Sequence, residues 1–185
     1  SLKGEHLLMG VVKADAYGHG DGMIAKKLAE NGFSWFGVSN IEEGISLRRQ
    51  GITQPILVLG YTPVECAKVL SDEKITQAIL LLEYAKALNA EAEKAGVVIE
   101  GHIKLDTGMT RVGFQCDEEN FETSLESIQK VFSLKHIHVA GTFTHHAVAD
   151  TYSGDCPQFT QMQFERFQKM IKACQQKGLN MGICH

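Results

Sequence analysis

Short apolar segments alternate with longer amphipathic stretches along this chain, at intervals of about 20 to 30 residues. Such alternation is typical of βαβ units and of a parallel sheet. The apolar segments predict strands at residues 7–13, 35–39, 56–61, 75–81, 97–106, 138–145 and 182–185. No change in composition marks a linker, so we expect a single α/β domain over residues 1–185.

The predicted helices are marked by their ends as well as by their apolar faces. Residues 62–65, Thr-Pro-Val-Glu, combine a cap residue, a proline and a glutamate three positions after the cap, which predicts a helix start. Residues 40–43 show a weaker form of the same pattern. Amphipathic stretches at 83–94 and 159–177 each stop at a glycine, as expected for helices with left-handed termini. These helices are interpreted as scaffold.

The first predicted strand ends on a lysine. Residues 7–12 are almost continuously apolar, which is typical of a strand covered on both faces in a parallel sheet. Lys13 follows at the carboxyl end, the edge where α/β folds place their ligand sites. Its position alone fits a functional lysine and a surface lysine equally well.

The strand predicted at 97–106 alternates apolar and polar positions. Glu100, His102, Lys104 and Asp106 point to one side of it. In an antiparallel sheet this row would face water, whereas in a parallel sheet with both faces covered it must be paired and hydrogen-bonded. Buried ionisable groups held in this way are candidates for a functional site.

Composition and charge exclude several classes of partner. The chain has 18 Lys and Arg against 22 Asp and Glu, and no segment gathers the basic residues into a stripe for nucleic acid. The 5 cysteines are widely spaced, which favours reduced thiols in the cytoplasm over a disulfide framework. No apolar run approaches the ~20 residues that a membrane span needs, so we expect no membrane contact. The length of 185 residues falls short of the roughly 250 of a complete α/β barrel.

Two longer motifs carry a family resemblance. Residues 11–20, Val-Val-Lys-Ala-Asp-Ala-Tyr-Gly-His-Gly, closely resemble the cofactor attachment motif of bacterial alanine racemases, which use pyridoxal 5'-phosphate. Residues 104–113, Lys-Leu-Asp-Thr-Gly-Met-Thr-Arg-Val-Gly, resemble the second motif of that family, and Thr144-His145 resembles a third. The resemblance implies a (β/α)8 TIM-type barrel that is incomplete at both ends here, with the carboxyl-terminal β domain outside this chain.

The same resemblance implies roles for particular residues. Lys13 would hold the aldehyde carbon of the cofactor and then exchange a proton on one face of the substrate α-carbon. Tyr17 would help bind the cofactor phosphate, beside glycines that let the backbone approach an anion. Arg111 would donate to the phenolic oxygen and lie near the substrate carboxylate, and His145 would lie close to the cofactor ring.

Three further residues, Lys104, Asp106 and His185, would support this site. Lys104 matches a lysine that is carbamylated in many family members, where the carbamate pairs with the arginine corresponding to Arg111. The alternative is an ordinary lysine paired with Asp106 or Glu100. His185 resembles a histidine that orients the arginine facing the pyridine nitrogen.

The implied activity is the interconversion of L- and D-alanine, which supplies D-alanine for peptidoglycan, by a cytoplasmic homodimer. The close alternative is a serine racemase of the same family, sometimes fused to a membrane domain, and a more distant one is a non-catalytic pyridoxal-phosphate-binding barrel. The second base, a tyrosine from the partner subunit, is expected beyond this chain, so the chain alone should be inactive. Histidines 138, 145, 146 and 185 with Cys184 show neither a helical pair nor a C-x-x-C spacing, so no metal is expected.

Overall fold

The computed structural model describes residues 6–185. The chain divides into two compact units, one ending at Ala78 and the other running from Ile79 to His185. Each unit is described by itself. No helix in the described part of the chain is long and apolar enough to cross a bilayer.

The first unit is built from parallel strands joined by helices. Its strands are β1 (Met9–Val11), β2 (Trp35–Val38), β3 (Ile56–Val58) and β4 (Ile75–Ile79). Its helical segments are α1 (Lys13–Gly18), α2 (Asp21–Glu30), α3 (Ile41–Arg49), a 3-10 turn (Val64–Cys66) and α4 (Ala67–Asp72). Each strand pairs in parallel with the next one along the chain. The uniformly apolar β3 is buried along its whole length, as its sequence predicts.

Arg48 ties together the loops at one side of this unit. Its guanidinium donates to four backbone carbonyls at 2.7–2.9 Å, and these belong to Ile52, Gln54, Glu73 and Lys74. Burial lowers the pKa of Arg48, while nearby Glu73 acts in the opposite direction. The side chain therefore replaces backbone hydrogen bonds that the loops between strands cannot make among themselves.

The second unit continues the same alternation. Its strands are β5 (Ile99–Asp106), β6 (Phe114–Gln115), β7 (Ile137–Phe143) and β8 (Ile183–Cys184). Its helices are α5 (Leu82–Ala95), α6 (Phe121–Phe132) and α7 (Cys156–Gln176). Strand β5 pairs in parallel with β6 and β7, and β7 pairs with β8. A register shift between Gly101 and His102 interrupts the β5–β7 ladder.

The seven predicted strands are confirmed, although each is shorter than predicted. Strand β6 was missed because two residues are too few to show a periodicity. The Asn40 side chain caps α3 as its pattern indicates, and Gly96 ends α5 in a left-handed conformation with φ 68°. The helix start predicted at residues 62–65 is wrong in detail. Pro63 is the residue before a 3-10 turn, and no side chain caps it, so the regular α4 begins only at Ala67.

Candidate active site

Lys13 opens a turn of unusual handedness in the first unit. It is half-buried and follows β1 directly. The next four residues, 14–17, all have left-handed backbone angles, with φ between 50° and 56°. Such a conformation costs L-residues roughly 1–2 kcal/mol each, so surrounding contacts must hold it. Strain of this kind is typical of functional sites.

Local hydrogen bonds hold this turn in place. The N–H of Ala16 donates to the Val12 carbonyl at 2.9 Å, and the N–H of Gly20 donates to the Asp15 carbonyl at 3.0 Å. The Asp15 carboxylate accepts from the N–H of Asp21, the first residue of α2, at 2.8 Å. The turn is thus tied to the strand before it and to the helix after it.

Tyr17 closes the left-handed segment. It lies four residues after Lys13 on the same turn, and 63 % of its surface is exposed. Gly18 and Gly20 beside it have φ of 83° and 91°, values that favour glycine. The structure therefore brings Lys13 and Tyr17 together on one turn, with the tyrosine accessible from solvent.

In the second unit, the polar row of β5 divides between surface and interior. Glu100 is exposed and accepts from His138 Nδ1 at 2.9 Å. His102, Lys104 and Asp106 are 0, 4 and 6 % exposed. Strand β5 lies in a parallel sheet, so the antiparallel interpretation is wrong, and the row is buried as the parallel interpretation predicts except at Glu100.

Lys104 is a buried lysine that no carboxylate of residues 6–185 pairs with. Its ammonium donates to the Leu105 carbonyl at 2.9 Å and lies 5.3 Å from the centre of the Phe143 ring. Among the described residues, neither Asp106 nor Glu100 comes within ion-pair distance of it. Burial lowers the pKa of Lys104 to about 8; nearby Asp106 opposes the shift and Arg111 adds to it. The neutral amine is therefore more accessible near neutral pH in Lys104 than in an exposed lysine.

Asp106 organises the loop that carries Arg111. One carboxylate oxygen accepts the backbone N–H groups of Gly108 and Thr110, both at 3.0 Å, and the other accepts that of Arg111 at 2.9 Å. With its oxygens occupied by backbone donors, Asp106 sets the path of the chain up to the arginine. The side chain of Arg111 is exposed and borders an open cavity of about 290 Å³.

His185 belongs to a pair of histidines beside β7. Its Nε2 lies 2.9 Å from Nδ1 of His102, and its ring stacks on Phe143 with a centroid distance of 5.2 Å. Burial lowers the pKa of His185 to about 4, and burial together with the His185 charge lowers that of His102 to about 3. Both rings are therefore neutral at pH 7, and one proton lies between them. His102 received no role from the sequence; its place in the polar row of β5 was the available signal.

His145 follows β7 and is exposed. Its backbone carbonyl accepts from Nε2 of Gln163 at 3.1 Å. Gln163, which is completely buried on α7, also donates to Thr107 Oγ1 at 3.2 Å and accepts the Ala147 N–H at 2.9 Å. It therefore joins the segments after β5 and β7. Sequence reasoning missed Gln163 because it lies on a helix interpreted as scaffold.

Metal ligation finds no support in the described part of the chain. No group of three or more histidine, cysteine, aspartate or glutamate side chains converges there in a way that would hold an ion.

Comparison with known proteins places this geometry in a family. The family described as "Alanine racemase, N-terminal domain" matches residues 1–185. This chain belongs to the alanine racemase family. The chain is 40 % identical over its full length to an alanine racemase of Clostridium perfringens, of which it covers 46 %. It is 38 % identical to alanine racemase 2 of Caldanaerobacter subterraneus subsp. tengcongensis, where the match covers 96 % of this chain and 44 % of that protein.

Solved structures agree with this assignment. An alanine racemase of Clostridium difficile 630 matches all of this chain with a TM-score of 0.89 and 38 % identity, and the match covers 46 % of that protein. The prediction of a TIM-type α/β barrel is therefore confirmed for the part of the fold that this chain spans. A histidine racemase from Leuconostoc mesenteroides matches 86 % of this chain with a TM-score of 0.77 and 31 % identity, over 42 % of that protein. The chain spans about half the length of the curated relatives it matches.

Proposed function

We propose that the protein containing this chain is a pyridoxal-phosphate-dependent alanine racemase, which interconverts L- and D-alanine. The observation that carries the proposal is Lys13, half-buried at the end of β1 on a left-handed turn, in a chain 38–40 % identical to alanine racemases. A lysine at that edge of a parallel α/β fold is suitably placed to hold a cofactor.

The residues present fit this cofactor. Lys13 supplies an amine, and Tyr17 on the same turn supplies an accessible hydroxyl for the phosphate, beside glycines with positive φ. Arg111 supplies a guanidinium on a loop whose backbone N–H groups donate to the Asp106 carboxylate. When bound, pyridoxal phosphate withdraws electrons from the substrate α-carbon and so makes its proton removable.

Each of the chain's own site residues would then have a separate role in binding or proton transfer. Lys13 would hold the cofactor at rest and, once released, accept or return a proton at the α-carbon from one side. Arg111 would donate to the cofactor's phenolic oxygen and to the substrate carboxylate, for which a planar, permanently charged fork is suited. His145 would lie near the cofactor ring. His185, held neutral against His102 and Phe143, would orient an arginine from elsewhere in the protein by hydrogen bonding.

Lys104 is proposed to carry a carbamate. A neutral amine is required, because its lone pair forms the N–C bond to CO₂ while one N–H proton leaves to solvent, and the lowered pKa of Lys104 favours that form. The modification would replace a buried cation that lacks a carboxylate partner by an anion, and so provide a partner for Arg111. A carbon-13 NMR spectrum of the full-length protein in carbon-13-labelled bicarbonate, compared with that of Lys104→Met, tests this. A carbamate carbon signal that is absent from the unsubstituted protein, or that persists in Lys104→Met, would refute it.

Assembly and location follow the same resemblance. We propose a homodimer, in which the partner subunit supplies a tyrosine on the opposite side of the substrate. We also propose a cytoplasmic location, which the free thiols of all 5 cysteines support.

The function is tested in the full-length protein. Solvent deuterium should enter the α-position of both L- and D-alanine, and borohydride reduction followed by peptide mapping should place the cofactor on Lys13. Lys13→Arg should abolish deuterium exchange, because a guanidinium does not form a covalent bond with the cofactor aldehyde as an amine does. Lys26→Arg, on the exposed face of α2, should leave the exchange unchanged. Label on another lysine, or bound cofactor without deuterium exchange, would refute the racemase and favour a non-catalytic carrier.

Substrate choice needs its own measurement. Family members act on different amino acids, as the histidine racemase structure illustrates. Comparing kcat/KM for alanine, serine and histidine in the same preparation tests the proposal. Alanine should give the highest value, and a higher value for serine would favour the serine racemase alternative.

A further inference from the structure

The carboxylate of Glu43 joins two backbone segments of the first unit. Its Oε1 accepts the N–H of Ala14 at 2.8 Å, and its Oε2 accepts the N–H of Ser39 at 2.8 Å. Ala14 is the first left-handed residue after Lys13, and Ser39 is the first residue after β2. One side chain on α3 therefore fixes the turn after β1 to the end of the neighbouring strand.

The position of Glu43 at the start of α3 leaves both of its oxygens available. Its own N–H donates to the Asn40 side chain at 2.9 Å, which caps the helix. A glutamate three residues after the cap commonly accepts the N–H of the cap residue itself. Here the carboxylate instead accepts Ser39, one residue earlier, and reaches across to Ala14. Of the two residues in the capping pattern, only Asn40 caps the helix, while the Glu43 carboxylate binds backbone groups outside it.

The bond to Ala14 acts at the point where the backbone changes hand. The peptide between Lys13 and Ala14 carries the N–H that Glu43 accepts, and Ala14 follows with φ 52°. Fixing that peptide plane fixes ψ of Lys13 and φ of Ala14 together. These angles determine how the Lys13 side chain leaves the end of β1.

We propose that Glu43 is a positioning residue for Lys13, and that its carboxylate sets the direction of the lysine by holding the Lys13–Ala14 peptide against β2. The proposal rests on the function proposed above for Lys13. A carboxylate accepts two N–H groups at once, whereas an amide of the same shape has one acceptor oxygen and would turn an N–H₂ donor toward one of them. Glu43→Gln therefore removes the bridge with almost no change in volume.

Two control variants separate positioning from general effects. Glu42→Gln removes the same charge from the same turn of α3, at an exposed residue. Asn40→Ala removes the helix cap but leaves the carboxylate. If Glu43 served only to stabilise the helix, Asn40→Ala would be as damaging as Glu43→Gln. If Glu43 acted only through its charge, Glu42→Gln would be as damaging as Glu43→Gln.

The first readout is amide hydrogen exchange of the full-length protein without cofactor, measured residue by residue. Glu43→Gln should speed exchange at Ala14 and Ser39 by about tenfold or more, because charge-assisted hydrogen bonds are lost, and the two controls should leave Ala14 protected. The second readout is racemisation by the holoenzyme. Glu43→Gln should lower kcat by about tenfold to a hundredfold with little change in KM, because the lysine is misdirected while substrate contacts persist.

Unchanged exchange at Ala14, or an equal loss of kcat in either control, would overturn the proposal. If Glu43→Gln does not fold, Glu43→Asp keeps the charge but is one methylene too short to span both amides. Full kcat in that variant with an unprotected Ala14 amide would likewise overturn it. Failure of the proposed function is recognised separately, because borohydride would then label a lysine other than Lys13 in the unsubstituted protein.

Discussion

Gln163 should contribute more to stability than any exposed glutamine of α7. Gln163→Ala deletes an amide with no exposed surface and three hydrogen bonds. Thr107 keeps its bond to Thr144 at 2.8 Å, whereas the Ala147 N–H is left without its acceptor and the His145 carbonyl loses one hydrogen bond. A buried group without a partner costs about 1–3 kcal/mol. Since water reaches these half-buried segments, we expect a total loss of about 2–3 kcal/mol.

The measurement is the free energy of unfolding from urea titration of the full-length protein. Gln168→Ala on the exposed side of the same helix is the matched control, and it should change stability by less than about 0.5 kcal/mol. Equal losses in Gln163→Ala and Gln168→Ala would refute the reasoning. Equal losses would mean that the hydrogen bonds of the Gln163 amide only offset the free-energy cost of burying that amide.

Gln163→Glu separates the donor from the acceptor part of this interaction. The new carboxylate keeps an acceptor for the Ala147 N–H but faces the His145 carbonyl without a proton to donate. Protonation restores the donor, so the stability difference from the unsubstituted protein should shrink as pH falls. A difference that stays constant down to about pH 4, near the ordinary glutamate pKa, would contradict this account.

Three further outcomes are expected. Burial lowers the pKa of His102 from 6.5 to about 3, so below pH 6.5 the unfolded state binds a proton there more readily than the folded state. His102 should therefore add about 1.4 kcal/mol per pH unit to the loss of stability as pH falls, beside the contribution of His185, and an equal slope in urea titrations of His102→Gln would contradict this. A Cβ added at Gly141 would lie 2.6–2.8 Å from the buried His102 ring, so Gly141→Ala should destabilise by about 1–3 kcal/mol in urea titration, and an unchanged midpoint would disprove the clash. Arg48→Lys should lower the free energy of unfolding by about 2 kcal/mol in the same assay, since an ammonium cannot reach all four carbonyls that the guanidinium contacts. Exposed Arg49→Lys should be neutral, and equal effects of the two substitutions would contradict a stabilising role for these four hydrogen bonds.

Local patterns in the sequence were sufficient for most of the secondary structure. Strand β3 and helix α5 appear where apolar periodicity places them, and Asn40 caps α3 as its residue type indicates. These features depend on residues within about four positions of one another, whose spacing is visible in the chain itself. The helix start predicted at residues 62–65 was wrong in detail because Pro63 is equally compatible with a 3-10 turn. Strand β6 was too short to show a periodicity.

The candidate site was only partly predictable. Lys13, Lys104 and Arg111 stood out because they lie in long motifs with a family resemblance, and a motif shows residue identity. The motif did not show that the Lys104 ammonium lacks a carboxylate partner within the described chain. Nor did it show that the Asp106 carboxylate oxygens accept hydrogen bonds from backbone N–H groups. Gln163 occupies an ordinary helical position, and Glu43 stood out only as part of a capping pattern, so neither context indicated the distant backbone groups that these side chains contact.

The sequence by itself therefore determined the α/β alternation and the family, and it supplied the residues that we propose hold a cofactor. Only the tertiary structure decided what surrounds those residues. The Glu43 hydrogen bond to the turn after Lys13 and the His102–His185 pair are contacts between residues 29 and 83 positions apart. Such contacts are set by how strands pair and how much water they exclude, and no local periodicity records either quantity.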